Sequence, residues 1–156
     1  MENTTTPDDQ YFEHHAFVHK RLSTENHRYT TGRHRLVDAL AESAQPLTLP
    51  EIVEIAPDLA ASSVYRNLEV LERCGVVNRI TSGGGHAHFE LAEPLLSHHH
   101  HLVCVSCGTI EDVRLDDELE ALLDQNLNLL ADRASFKPLH HSLDLHGHCA
   151  ECEDPA

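Results

Sequence analysis

The sequence has few residues that could fill a large apolar core. Its 156 residues contain no tryptophan, four phenylalanines, three tyrosines and one methionine, so leucine, valine, isoleucine and alanine must form most of the interior. No apolar run approaches the roughly 20 residues that a membrane-spanning helix needs. The first ten residues, MENTTTPDDQ, also lack the basic and apolar regions of a signal peptide. The length predicts one ordinary domain or two small ones, and the missing membrane span and signal peptide predict a cytoplasmic protein.

Basic residues are scarce as well, since 11 lysines and arginines stand against 26 aspartates and glutamates, for a formal net charge of −15 at pH 7. Such a balance disfavours nucleic acid as a partner of the chain as a whole. The distribution is uneven, however. Residues 19–37 contain five basic residues and one acidic residue, Glu25, whereas most of the acidic excess lies after residue 83. A nucleic-acid contact would therefore be confined to the N-terminal half, and the acidic half is rich in potential metal ligands.

Cysteine is limited to five residues, and four of them form the Cys-x-x-Cys pairs Cys104/Cys107 and Cys149/Cys152. Without an export signal, a disulfide framework is not expected. Two such pairs can form a tetrahedral, all-thiolate zinc site once the fold brings them together. A redox pair or an iron–sulfur cluster is the alternative, but a redox pair would need a helix start in a βαβ setting. We predict a structural zinc site, and a buried structural role for the fifth cysteine, Cys74.

Histidine is abundant, with 15 residues, of which four are consecutive in HHHHLVCVSCG, residues 98–108. An expression tag would not lie inside the chain and continue into a strand-like segment. Strand side chains alternate between two faces, so His98 and His100 would serve one metal site and His99 and His101 another. Mixed imidazole and carboxylate ligation suits zinc, iron(II), nickel or manganese without choosing among them. Other potential ligands follow the same chemistry: His86, His88, Glu90, Asp112, Glu118, Glu120, His140, His141, His146 and His148.

The first half of the chain has the order of a winged helix-turn-helix. Apolar spacing and end signals predict helices over residues 11–22, 33–43 and 62–75, with a short one between Leu49 and Pro57. The segments VVNRI and HAHFEL read as strands joined by the turn SGGG. In this architecture the last helix enters the major groove of DNA. Its first turns offer side chains that can donate hydrogen bonds to phosphates and base edges: Ser62, Ser63, Tyr65, Arg66 and Asn67. The alternative is an amphipathic helix whose polar face is simply exposed to solvent.

The second half predicts a small α/β domain. The segment AEPLLS, residues 92–97, is a predicted hinge, followed by strands near 99–105 and 108–113, a leucine-rich helix over 115–131 and a strand near 139–147. Because so small a sheet and helix bury little surface, they suggest a dimer interface. The predicted organisation is a disordered tail over 1–10, a winged-helix domain over 11–91, the hinge, and a metal-binding dimerisation domain over 98–156.

Together these motifs resemble the ferric uptake regulator (Fur) superfamily of bacterial metal-sensing repressors. The resemblance extends from about residue 28 to residue 152 and is carried by SSVYRNLEVLERCGVV, HHHHLVCVSCG and HSLDLHGHCAEC. It implies an α+β homodimer with an N-terminal winged-helix domain and a small α/β dimerisation domain. It also implies a cytoplasmic repressor of metal-homeostasis genes, not an enzyme. A regulatory divalent metal, zinc or iron(II) with manganese or nickel as alternatives, would close the dimer onto operator DNA.

The resemblance also assigns residues to sites. It places structural zinc on the four paired cysteines, and a regulatory metal at the hinge on Glu90, His99 and His101, with His88 close by. In the repressor hypothesis itself, Tyr65, Arg66 and Asn67 would contact DNA, Ser62 and Ser63 would add hydrogen bonds, and Arg28 and Arg33 would anchor phosphates. A second metal site maps onto His98, His100, Glu120 and His141.

The chain departs from the family pattern at two places. Iron and peroxide sensors take a histidine from the turn after the second helix, where this chain has Pro46. One branch of zinc sensors uses an aspartate beside the wing and a cysteine before the histidine run; here Asn78 holds the first place and no cysteine lies between residues 75 and 103. His86 or His88 could compensate.

Two other functions compete with the repressor hypothesis. A metal buffer or chaperone would explain the histidines and acids but not the winged-helix order or the Tyr65-Arg66-Asn67 segment. A zinc hydrolase would need an open coordination position and a general base such as Glu90, and the sequence lacks the HExxH motif.

Overall fold

The structure is a computed structural model that describes residues 7–83 and 85–152, and this part of the chain forms five α-helices and six β-strands. A 3₁₀ turn, Glu93–Leu95, lies between the third and fourth strands. The helices are α1 (Pro7–Thr24), α2 (Thr31–Glu42), α3 (Leu49–Ile55), α4 (Ala61–Arg73) and α5 (Asp117–Arg133). The strands are β1 (Leu47–Thr48), β2 (Val77–Thr81), β3 (Ala87–Leu91), β4 (His100–Cys104), β5 (Ile110–Val113) and β6 (Asp144–Gly147).

The N-terminal half packs its helices against an antiparallel sheet of order β1-β3-β2. Helix α4 contributes Val64, Leu68 and Leu71, which recur at helical spacing and are fully buried. The helix ends at Arg73, and Gly75, two residues later, has a φ of 68°, a left-handed conformation that glycine adopts without a Cβ penalty. The core continues from α1 to the 3₁₀ turn, where Leu95 belongs to the same buried cluster. Residues 92–97, the predicted hinge, are therefore anchored in the N-terminal core through Leu95.

Helix α3 begins with a carboxylate that returns to the start of the helix. Glu51 Oε2 accepts hydrogen bonds from the Thr48 backbone N–H at 2.7 Å and from its hydroxyl at 2.6 Å. The hydroxyl contact, followed by the backbone one, lowers the pKa of Glu51. This half of a capping box fixes the turn that leads from β1 into the helix.

The C-terminal half is a second sheet, of order β5-β4-β6, in which β4 pairs antiparallel with β5 and parallel with β6. Helix α5 is capped by Asp116, whose side chain accepts the Leu119 N–H at 2.9 Å. Among the described side chains of α5, Ala131 is the buried one. The apolar face of α5 is largely exposed within one copy of the chain.

The architecture is α+β, as predicted, and most differences lie at element ends. Helix α1 begins at Pro7, so residues 7–10 are helical where a tail was predicted; residues 1–6 of that predicted tail lie outside the described residues. The tail prediction failed there because residues 7–10 are polar and carry no apolar periodicity. Helix α5 starts two residues later than predicted because Asp116 caps it. No helix in the described residues has the length and apolar character to cross a membrane.

Candidate metal centres and nucleic-acid interface

The four paired cysteines meet at the end of the C-terminal sheet. The parallel pairing of β4 with β6 places Cys104 opposite Gly147, two residues before Cys149, and the four sulfur atoms lie within 4.8 Å of one another. Hydrogen bonds from the backbone N–H groups of Cys107 and Cys149 lower the pKa of Cys104 to about 5. The backbone nitrogen of Cys149 lies 3.4 Å from Cys104 Sγ. Thiolates are the form that binds metal, so the lowered pKa favours Cys104 as a ligand, and the convergence of four cysteine sulfurs fits a tetrahedral zinc ion.

A second cluster lies between the histidine run and α5, and its ligand atoms are also within 4.8 Å of one another. The Glu120 carboxylate is at its centre. One oxygen lies 3.1 Å from His98 Nε2 and 3.0 Å from His141 Nε2, and the other lies 2.9 Å from His100 Nε2. The structure thus brings together all four residues that the family resemblance assigns to this site.

A third cluster lies at the hinge and draws residues from both sheets. Glu90, on β3, is 3.1 Å from His99 Nε2 and 3.3 Å from His101 Nε2 through a single carboxylate oxygen. Asp112 completes the group, with its oxygens 3.8 Å from the same two imidazoles. The sequence named Asp112 as a potential ligand without assigning it to this site. The register of β4 with β5, which pairs His101 with Asp112, places it there.

Four of the histidines in these two clusters also have an oxygen atom close to Nδ1, the ring nitrogen that faces away from the cluster. His98 Nδ1 lies 2.5 Å from Glu93, His141 Nδ1 lies 3.1 Å from Asp124, and His101 Nδ1 lies 2.9 Å from Asp144. His99 Nδ1 lies 2.9 Å from the Ser97 carbonyl oxygen. An imidazole that is neutral in this arrangement would carry its single hydrogen on Nδ1, and its Nε2 lone pair would point at a carboxylate oxygen.

Two electron-rich atoms facing each other require a cation between them, which is a proton or a metal ion. In the metal-free chain, protons fill this role: the hydrogen bond to Glu93 raises the pKa of His98, and the one to Glu90 raises the pKa of His101 to about 9. Burial raises the pKa of Asp112, whose Oδ1 is buried without a hydrogen-bond partner in the described residues. The residues of both histidine clusters therefore fit a divalent metal.

The structure does not bring His88 into the hinge cluster. Two residues along a strand span about 6.6 Å, so His88 lies beyond the ligand shell although it shares a strand face with Glu90. Its Nδ1 is buried without a hydrogen-bond partner in the described part of the chain, and burial lowers its pKa. His88 instead lines a cavity of about 180 Å³ together with His86, Pro46 and Glu51. Asp112 holds the fourth place in the hinge cluster.

The predicted DNA-contacting residues separate into two groups. Ser62, Tyr65 and Arg66 are exposed on the first turns of α4, with the Arg66 Nε atom 3.2 Å from the Ser62 carbonyl oxygen. Asn67 is half-buried, and its Oδ1 accepts a hydrogen bond from Arg33 Nε at 3.2 Å.

Arg33 also donates to the Arg28 carbonyl oxygen. Ser63 is half-buried at the start of α4, and the Arg28 side chain is exposed. The contact with Arg33 gives Asn67 a structural partner, so the exposed residues at the start of α4 and Arg28 are the ones open to a ligand.

Sequence reasoning missed three carboxylates that contact the clusters from outside. Glu93 and Asp144 each accept a hydrogen bond from a histidine of one of the two histidine clusters, and Asp124 Oδ1 lies 3.1 Å from His141 Nδ1. Each comes from an element that is distant along the chain or that has no periodic signal of its own. A pairing of β4 with β6 would have pointed to Asp144, which lies opposite His101.

Comparison with known proteins gives a consistent result. The ferric uptake regulator family model matches residues 24–146. The "Ferric uptake regulation protein" of Legionella pneumophila is 36% identical over 102 residues, which cover 65% of this chain and 70% of that protein. The "Peroxide operon regulator" of Bacillus subtilis (strain 168) is 31% identical over 129 residues, covering 80% of this chain and 83% of that protein.

The crystal structure of the Vibrio cholerae ferric uptake regulator (Fur) superposes with a TM-score of 0.64 at 26% identity, covering 84% of this chain and 98% of that one. It confirms the predicted α+β fold with an N-terminal helix-turn-helix domain. The relatives are named as regulators, which confirms the expectation of a regulator and not an enzyme. The family model covers most of the residues that build the three clusters and α4, and the chain belongs to the ferric uptake regulator family.

Proposed function

We propose that this protein is a metal-responsive, DNA-binding transcriptional repressor of metal-homeostasis genes, acting as a homodimer in the cytoplasm. The hinge cluster is the observation that carries this proposal. It takes Glu90 from the sheet that supports α4, and His99, His101 and Asp112 from the C-terminal sheet. A ligand that binds all four residues favours one orientation of α4 relative to the C-terminal half.

The mechanism is thermodynamic linkage. Metal that binds the closed arrangement more tightly increases the population of that arrangement, and DNA selects the same one. A coupling free energy of ~1–3 kcal/mol corresponds to roughly five- to 150-fold tighter DNA binding. Within the chain, Ser97 and Asp144 orient His99 and His101 through their Nδ1 atoms, so that both Nε2 atoms converge on Glu90. Pre-orientation of this kind lowers the ordering cost of binding.

The three clusters have different proposed roles. The four cysteines hold a structural zinc ion that joins the chain's end to β4, and a structural zinc supplies folding free energy when bound. The hinge cluster is the regulatory site, and His98, His100, Glu120 and His141 form the second site. Their imidazole and carboxylate ligands suit zinc or iron(II) best in this proposal, with manganese and nickel as alternatives.

The DNA interface in this proposal is the start of α4. Tyr65 and Arg66 enter the major groove, with Ser62 and Ser63 as further donors, Asn67 as a support for Arg33, and Arg28 and Arg33 near the phosphates. Two copies would place their α4 helices about 34–36 Å apart, one turn of DNA.

The surface for the second copy is the apolar face of the C-terminal half. Helix α5 and the segment that follows it expose large apolar side chains in one copy, an arrangement that is typical of an interface. The exposed side chains are Leu119, Leu122, Leu129, Leu130, Phe136, Leu139 and Leu145.

The test is fluorescence anisotropy on a DNA fragment from upstream of the protein's own gene. Protein stripped of labile metal is titrated anaerobically with zinc, iron(II), manganese and nickel in turn. We expect one metal to induce tight binding at a lower free concentration than the others. Arg66→Ala should weaken that binding by about 1–3 kcal/mol if Arg66 contacts a base, whereas Arg73→Ala, at the other end of α4, should change it little.

A metal that binds without changing DNA affinity would count against the proposal. A selection from random DNA sequences would then separate a wrong operator from a protein that stores metal without a DNA function.

A further inference from the structure

The 3₁₀ turn between the two halves contacts both of them. Leu95 is buried in the N-terminal core, and the Ala92 N–H at the start of the turn donates to the Val76 carbonyl oxygen at 2.8 Å. Glu93, two residues before Leu95, faces the C-terminal half. One carboxylate oxygen lies 2.5 Å from His98 Nδ1, and the other lies 3.4 Å from His140 Nδ1.

We propose that Glu93 is a positioning residue through which the second metal site reports its occupancy to the hinge turn. The second site would then help to set the DNA-bound arrangement instead of only stabilising the C-terminal half. This inference rests on the proposed regulatory function and concerns the regulation of the same molecule. It extends the regulatory input from the hinge cluster to a second cluster that contributes no ligand from the N-terminal half.

The physical link is a short chain of contacts. His98 Nε2 faces Glu120 and His141 at 3.1 and 3.3 Å, while its Nδ1 faces Glu93. When Nε2 is a metal ligand, the imidazole ring is held in one orientation with its hydrogen on Nδ1, and Glu93 accepts that hydrogen in one defined geometry. Glu93 belongs to a three-residue turn whose last residue is held in the N-terminal core. A change at His98 is therefore transmitted to a rigid segment of the other half.

The same cluster provides a matched control. His141 Nδ1 contacts Asp124 at 3.1 Å, as His98 Nδ1 contacts Glu93. Asp124 lies on α5, in the same half as the ligands, and its ion pair among the described residues is with His141 of that half. Removal of either carboxylate weakens the outer contacts of the site, but Glu93 is also a residue of the turn, whereas Asp124 is not.

The test uses the full-length protein with its structural zinc, in a background in which His99→Ala disables the hinge cluster. Zinc is titrated while backbone amide chemical shifts are followed by NMR. We expect Glu93→Ala and Asp124→Asn each to weaken zinc binding at the second site by about tenfold, as is usual for outer contacts of metal ligands. The amides of residues 92–96 should shift on zinc binding in the parent and in Asp124→Asn, but not in Glu93→Ala.

Glu93→Gln keeps an acceptor without the charge and should restore part of the shift, which protects the test if Glu93→Ala folds poorly. Equal shifts of residues 92–96 in Glu93→Ala and in its parent would overturn the inference, as would their absence in all variants. With the hinge cluster intact and all sites saturated, Glu93→Ala should lose several-fold of the metal-induced gain in DNA affinity, and Asp124→Asn should keep it. Shifts that depend on Glu93 in a protein that binds no DNA would support the coupling while refuting the regulatory function.

Discussion

The two halves of the chain bury different kinds of side chain. In the N-terminal half, apolar residues from Val18 in α1 to Leu95 in the hinge turn form one continuous buried cluster. In the described residues of the C-terminal half, the buried side chains include the metal-ligand candidates His100, His101 and Cys104, while Leu130 of α5 is 63% exposed. The few large apolar residues of this chain build one apolar core, in the N-terminal half. The C-terminal half has metal-ligand candidates in its interior and an apolar face on its surface.

The difference has consequences for stability. An apolar core stabilises a domain without a ligand, at roughly 25 cal/mol per Å² of buried apolar area. Clusters of imidazoles and carboxylates are costly to bury until a cation joins them. The N-terminal half should therefore fold independently of metal, and the C-terminal half should depend on metal and on a second copy.

The largest expected effect is loss of the cysteine cluster. Cys149→Ser removes one of four thiolates, and apparent binding free energies of structural zinc are about 10–16 kcal/mol in zinc-finger peptides, as large as the stability of a whole domain. We expect loss of one zinc per chain by elemental analysis, and loss of amide hydrogen-exchange protection in β4, β5 and β6 but not in α2 or α4.

The matched control is the fifth cysteine. Cys74→Ala removes a buried sulfur from the N-terminal core, and should cost about 1 kcal/mol of unfolding free energy while zinc content is unchanged. Simultaneous loss of protection in both halves of Cys149→Ser would show that the halves do not differ as inferred.

The next largest effect concerns the exposed face of α5. Leu130→Glu places a charge on the surface that we propose for the second copy, and should weaken association at least tenfold, or by about 1.4 kcal/mol. Sedimentation equilibrium measures this directly. Ile55→Glu is the control, because Ile55 is an exposed apolar residue of the N-terminal half, and it should leave the mass in solution unchanged. An unaltered mass in Leu130→Glu would place the interface elsewhere.

A third prediction concerns the hinge cluster. Asp112→Asn removes a charged ligand candidate and should weaken regulatory metal binding at least tenfold, or by about 1.4 kcal/mol. In the metal-free protein the same change should stabilise the C-terminal half slightly, because it removes a half-buried carboxylate whose pKa is raised by burial and by Glu90. Isothermal titration and thermal unfolding measure the two effects. Glu111→Gln, on the neighbouring exposed position, should change neither metal binding nor stability. A loss of stability in metal-free Asp112→Asn would contradict the prediction.

The sequence predicted what depends on local spacing. Cys-x-x-Cys pairs and the alternation of a strand are short-range patterns, so the cysteine site and the division of the histidine run into two sites followed from them. Asp112 was not assigned to the hinge because its place depends on the register of β4 with β5. His88 was grouped with Glu90 because alternation identifies a shared face without giving the distance along the strand. Glu93 and Asp124 depend on tertiary contacts that no local pattern records.

The smallest expected effect is a pH dependence of the N-terminal half. The ring of His34 on α2 stacks on the rings of Tyr29 and of His15 on α1, with distances between ring centroids of 3.7 Å and 4.5 Å. Burial, and then His15, lowers the pKa of His34, against the opposing charge of Asp38. Burial likewise lowers the pKa of the neighbouring His14. Since the unfolded chain takes up the proton more readily, stability should be constant above the ordinary histidine pKa near 6.5 and fall as pH decreases below it.

The effect should be a fraction of a kcal/mol, because His34 is half-buried and partly screened by solvent. Hydrogen exchange of the buried amides of Leu36 and Leu68 between about pH 7.5 and 5.5 isolates the N-terminal half from the metal sites. His34→Gln should reduce the pH slope without abolishing it, because His14 still titrates. If the slope were unchanged in His34→Gln, the stacked His34 ring would not be its source, and another titrating group of the N-terminal half, such as His14, would account for it.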